Sequence, residues 1–97
     1  MADIYPKESW YSSDSLWFDC PGCGEYHRIP FASKTEHNWK FDGNKEKPTF
    51  SPSVRVSIRN KTICHLFIRN GMIEFCLDCP HELKGKTISL PPIRGGA

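Results

Sequence analysis

Apolar and polar residues alternate over residues 54–59, where Val54, Val56 and Ile58 are set against Arg55, Ser57 and Arg59. A period of two is the signature of a strand with one buried face. Residues 62–69 and 72–78 are two further apolar runs that flank Asn70-Gly71. Asn-Gly between such runs predicts a hairpin closed by a type I′ turn. The two-residue loop sets its register. Arg69 faces Met72, Ile68 faces Ile73, Leu66 faces Phe75 and Cys64 faces Leu77, while Phe67 faces Glu74 and His65 faces Cys76. Cys64 and His65 therefore point to opposite faces of one strand.

Leu16-Trp17-Phe18 runs into Cys20-Pro21-Gly22-Cys23-Gly24, followed by Tyr26-His27-Arg28-Ile29. This reads as two short strands joined by a tight knuckle. Trp39-Lys40-Phe41 forms another short strand, ended by the turn signal Asp42-Gly43-Asn44. Pro48 and Pro52 push their predecessors toward extended conformations, so residues 45–53 read as an extended loop or sheet edge. Pro80 and Gly85 can open and close one helical turn, and residues 86–90 make a last short strand. The fold class is mostly β, a small sheet sandwich or open barrel of about six short strands. One domain is expected, with an N-terminal arm or edge strand over 1–14, a β core over 15–90 and a tail over 91–97.

Composition adds a difficulty and its remedy. At 97 residues with 38% hydrophobic content the core is thin. Small domains of this kind are often stapled by disulfides or a metal. No apolar run is long enough to cross a bilayer, and the first ten residues lack a secretory pattern, so a cytoplasmic location is expected. Disulfides do not persist there, and the five cysteines are odd in number. The net charge of +2 falls well short of a nucleic-acid footprint.

Cys20-Pro-Gly-Cys23 is the strongest motif, because two thiolates two residues apart can share one tetrahedral zinc ion. A redox CxxC opens a helix, whereas a strand follows here. Two more ligands must come from Cys64, His65, Cys76, Cys79 and His81. Cys64 shares a face with Leu66 and Ile68 and could simply pack in the core. His27 is a weaker candidate, and His37 reads as solvated. Asp78 accepts a hydrogen bond from a ligand histidine, caps the following turn, or acts with Glu82 as a general base.

The combination of Cys20-Pro-Gly-Cys23, His27, Trp39/Phe41/Gly43, Pro48-Thr-Phe-Ser-Pro-Ser53, Cys64-His65 with Phe67, Gly71 and Phe75, and Asp78-Cys79-x-His81 resembles a family of small uncharacterised zinc-binding proteins of phages and prophages, some labelled ammonia monooxygenase. The likeness spans roughly residues 17–91. It implies a zinc-containing β-rich domain. Cys76 stands where the family favours a leucine-like residue, which turns the ligand set toward Cys20, Cys23, Cys64, His65, Cys79 and His81.

Three functions follow. The leading expectation is a phage-encoded, zinc-stabilised interaction module without chemistry of its own. It binds a host protein, as an accessory or counter-defence protein would, through Trp39, Thr49, Ser51, Arg55 and Arg59. The first alternative binds nucleic acid or a nucleotide through Arg55, Arg59 and the 48–53 loop, with Thr49, Ser51 and Ser53 donating to phosphate. The second is a small zinc-dependent hydrolase. No HExxH or deaminase pattern supports that last reading.

Overall fold

The computed structural model describes residues 7–94 and contains strands and turns with no helix among them. Eight strands form two antiparallel sheets. The first sheet has the order β1-β2-β3, with β1 at Ser9–Tyr11, β2 at Ser15–Asp19 and β3 at Tyr26–Pro30. The second has the order β4-β5-β6-β7-β8, with β4 at Lys40–Phe41, β5 at Phe50–Ile58, β6 at Lys61–Arg69, β7 at Met72–Phe75 and β8 at Thr87–Ser89. The mostly-β expectation holds, with two more strands than the sequence pattern resolves.

Alternation decides which faces meet. Leu16, Phe18 and Ile29 of the first sheet and Phe50, Val54, Leu66, Ile68, Ile73 and Phe75 of the second are almost fully buried in one cluster. Phe31, Phe41 and Phe50 extend it as a ring stack, with centroids 4.8 Å apart between Phe41 and each of the other two. Cys20, Cys64 and Cys79 continue the same buried cluster.

The Asn70-Gly71 hairpin has the expected register from Arg69↔Met72 to Leu66↔Phe75. Both turn residues have positive φ, 49° and 75°, as a type I′ turn requires. The ladder stops before the expected Cys64–Leu77 pair. Leu77 is exposed, and the last link is the Cys76 N–H donated to the His65 carbonyl at 2.9 Å. The expected helical turn after Cys79 is a series of plain turns. Residues 50–52, read as loop or edge, belong to β5, where Phe50 and Ser51 pair with β4. The N-terminal arm contains β1; its first six residues lie outside those described.

Gly71 also lies under residue 47. A Cβ added there would stand 3.1 Å from the Lys47 Cα while the backbone keeps φ at +75°. Gly71→Ala is expected to lower unfolding free energy by about 1–2 kcal/mol in urea denaturation. An unchanged midpoint would show that this turn relaxes freely.

Candidate active site and metal centre

Two groups of side chains occupy opposite faces of β6. On the inner face, the knuckle after β2 brings Cys20 and Cys23 against Cys64 of β6 and against Cys79 and His81 of the turn after β7. Cys64 Sγ lies 4.0 Å from Cys20 Sγ, 3.9 Å from Cys79 Sγ and 3.4 Å from His81 Nε2. Thiolates held at the usual zinc–sulfur distance around a tetrahedral ion stand about 3.8 Å apart. Ligand atoms of Cys20, Cys23, His27 and Cys64 fall within 4.8 Å of one another, as do those of Cys64, Cys79 and His81. These residues can hold a metal ion.

Several features show that the arrangement is built for close approach. A Cβ on Gly22 would fall 2.2 Å from the His81 ring, so only glycine at the knuckle admits that imidazole. His27 Nε2 is buried without a hydrogen-bond partner beside the thiols. Cys20 is pulled down to about 3, chiefly by the hydrogen bond from the Cys64 thiol, and that same bond pushes Cys64 up. Burial pushes Cys23 up to about 12. Without a cation the cluster keeps one thiolate beside thiols that resist ionisation. A divalent ion reverses that preference by supplying positive charge. Gly22→Ala is therefore expected to displace His81 and weaken metal retention roughly tenfold or more in a chelator competition, a loss of the size seen on disturbing a ligand's support. Unchanged retention would remove His81 from the ligand set.

On the outer face stands a different constellation. His65 Nδ1 lies 2.8 Å from Asp78 Oδ1, and His65 Nε2 lies 3.0 Å from Ser53 Oγ. A carboxylate only accepts, so Nδ1–H donates to Asp78 and Nε2 accepts from the Ser53 hydroxyl. The hydrogen bond from His65 holds the Asp78 carboxyl below the usual carboxylate range. The His65 side chain is 16% exposed and Asp78 61% exposed, so the imidazole is sheltered while its carboxylate meets solvent.

The local fold explains the convergence. Val54 and Val56 face the core, which turns Ser53 and Arg55 outward. Cys64 and Leu66 do the same for His65. Arg55 pairs directly with His65, and Ser53 sits one step diagonally away. Between Phe50↔Ile68 and Val54↔Leu66, β5 spends four residues where β6 spends two. Such bulges re-aim side chains and recur beside active sites. The Trp39 indole N–H fixes the bulge by donating to the Ser53 carbonyl at 3.2 Å.

Of the residues picked from sequence as ligands, Cys20, Cys23, Cys64, Cys79 and His81 gather at the inner centre. His65 does not join them, because both its ring nitrogens are engaged on the other face. Cys76 lies beside His65 and Asp78 on that face. Asp78 was expected to accept from a ligand histidine; it accepts from His65, which lies outside the inner centre. The expected binding residues are spread along β5 and its ends, with Trp39 against the Ser53 carbonyl and Arg55 opposite His65. Thr49 accepts from the Asn70 N–H just ahead of β5, Arg59 lies in the turn beyond its far end, and Ser51 pairs with β4. Ser53 had been read only as a phosphate donor. Its signal was the shared parity of residues 53 and 65 on adjacent strands.

Among the described residues no helix is long and apolar enough to cross a membrane. No curated protein and no solved structure matches the chain. One family profile does, over residues 2–76, and its description is BubE, the serine protease of a bacterial ubiquitination-like system. That description overturns the leading expectation of a phage interaction module without chemistry, and it favours the hydrolase alternative. It leaves the phage attribution of the resemblance noted from sequence unsupported. The match covers well over half of the chain and takes in Ser53 and His65, with Asp78 just beyond its end, and the chain belongs to the BubE family.

Proposed function

We propose that this protein is a serine hydrolase that cleaves an acyl bond, a peptide or a closely related linkage, with Ser53 as nucleophile. The observation that carries the reading is the Ser53–His65–Asp78 series, with contacts of 3.0 and 2.8 Å. This is the geometry by which a neutral imidazole activates a hydroxyl and a carboxylate holds the imidazole in the required tautomer. The family description, a serine protease of a ubiquitination-like system, supports the same class.

The steps follow from those contacts. Ser53 Oγ attacks the carbonyl carbon and forms the Oγ–C bond, while its proton passes to His65 Nε2. His65 gives that proton to the departing group, and the C–N or C–O bond breaks. Water then enters, loses a proton to His65 and splits the acyl-Ser53 ester, releasing a carboxylic acid and restoring the hydroxyl. Asp78, ionised throughout the neutral range, stabilises the transient imidazolium. Cys76 shares this face, but burial and the Asp78 charge push its thiol upward. Its thiolate is disfavoured, which leaves Ser53 as the nucleophile.

The inner centre is the scaffold of this reading. A set of soft thiolates with one imidazole selects zinc over hard cations. The residues that would hold the ion are Cys20, Cys23 and Cys64 with a fourth ligand from His27, Cys79 or His81. Held there, such an ion would fasten the knuckle, β6 and the turn that carries Asp78, on the face of β6 away from Ser53.

Labelling with a fluorophosphonate followed by peptide mass spectrometry tests the function. The expected adduct is on Ser53 alone. Absence of an adduct, or one that persists in Ser53→Ala, would refute the assignment.

A further inference from the structure

The strand that carries the nucleophile is an exposed sheet edge for most of its length. On the side away from β6, β5 is paired only at Phe50 and Ser51, by the two residues of β4. Trp39 caps the Ser53 carbonyl. From Arg55 to Ile58 no strand among the described residues covers that side. Proteins usually blunt a free edge, because its unpaired amides template another strand.

The direction of these amides can be worked out. The His65 carbonyl accepts from Cys76, so the His65 main chain faces β7. In an antiparallel pair, residues opposite one another either exchange hydrogen bonds or both turn their main-chain groups outward. Arg55 is the Cα partner of His65 and must therefore present its N–H and C=O to the open edge. The Ser53 carbonyl, which meets the Trp39 indole on that side, fits the same alternation.

The nucleophile's geometry points the same way. His65 sits on the β6 side of Ser53 Oγ. A carbonyl under attack must meet Ser53 Oγ along a direction His65 does not fill while its leaving group stays within reach of His65 Nε2, and the open edge runs alongside Ser53.

We propose that the substrate binds as an added strand on the open edge of β5, its main chain exchanging two hydrogen bonds with Arg55 and its scissile carbonyl lying over Ser53. The occupant is an extended peptide segment next to the bond that is cut. Main-chain pairing supplies the affinity, and side chains on alternate positions supply the selectivity. This inference rests on the Ser53–His65–Asp78 reading.

The test compares Arg55→Pro with Arg55→Ala on octapeptides that the unmodified protein cleaves from a mixed library. Proline is tolerated on a strand edge whose N–H faces solvent, and relative to alanine it deletes that donor. Alanine deletes the guanidinium and keeps the donor. Arg55→Pro is expected to lower kcat/KM at least tenfold below Arg55→Ala, through KM, with Ser53 still labelled by fluorophosphonate in both. An N-methyl scan of a cleaved octapeptide keeps the test open if the proline variant unfolds. Losses on alternate residues are expected, because every second N–H of an added strand faces β5. Equal kinetics of the two folded variants, or an N-methyl profile without a two-residue period, would overturn the added strand alone. So would a library with no cleaved member while Ser53 still labels. Failure of the unmodified protein to label would overturn the triad and this inference together.

Discussion

Replacing Ser53 by alanine is expected to abolish hydrolysis, by about 10⁴-fold or more in kcat, and to leave the fold intact. The hydroxyl is the atom that forms the acyl bond, so nothing else in the site can substitute for it. A loss of that size corresponds to about 5 kcal/mol of transition-state stabilisation, in line with removal of a triad serine elsewhere. Ser53 is half-buried and its Oγ hydrogen-bonds His65, whose partly exposed ring can turn to water when the hydroxyl is removed. His65→Ala is expected to match it, because serine and histidine act as one unit and their losses do not add. Asp78→Asn is expected to cost less than the roughly 10⁴-fold seen when a buried triad carboxylate is replaced. Asp78 is mostly exposed, and water can partly take its place at His65 Nδ1–H. The measurement is turnover of a p-nitrophenyl ester and of a cleaved peptide, with circular dichroism as the control for folding. A Ser53→Ala protein that keeps full turnover would refute the mechanism.

Loss of the metal is expected to lower the melting temperature by about 15 °C or more, with activity lost only because the site comes apart. A structural zinc can contribute about 10 kcal/mol or more to peptides that fold on binding it. This chain has a core of its own, so a smaller share is expected. A loss of about 3 kcal/mol suffices for that shift in a domain of 97 residues. The reason is connectivity. Cys20 and Cys23 lie after β2 and Cys64 on β6, with Cys79 and His81 after β7 beside Cys64, so an ion held there would tie distant segments. Removing it leaves buried thiols whose mutual hydrogen bonds are weak. Cys64→Ser is expected to lose the metal and the fold together. His65→Ala, one residue along the strand, is expected to keep about one metal per chain while losing turnover. Elemental mass spectrometry with thermal unfolding reads both variants. Metal lost from His65→Ala and kept by Cys64→Ser would exchange the roles of the two faces.

Much of this was legible from spacing. The Asn70-Gly71 hairpin, its register and the opposed directions of Cys64 and His65 follow from a two-residue turn and a period of two, both local properties. The knuckle at Cys20 and Cys23 was equally plain, since ligand pairs two apart need only a tight turn. What spacing did not separate was purpose. His65 was grouped with the cysteines because histidine beside cysteine suits a metal as well as it suits a base.

The sequence by itself determined the strand faces, the hairpin and the chemical inventory: five thiols, four imidazoles and the serine-rich stretch before residue 54. Tertiary structure decided which of these meet. Residues 20, 64 and 79 come together only when the two sheets close on one core, and Ser53 meets His65 only once β5 and β6 pair in the register Arg55↔His65. Such contacts depend on strand pairing across a dozen or more residues and on packing between sheets. Neither leaves a periodic trace in the chain, because the same alternation is compatible with many pairings until the core selects one.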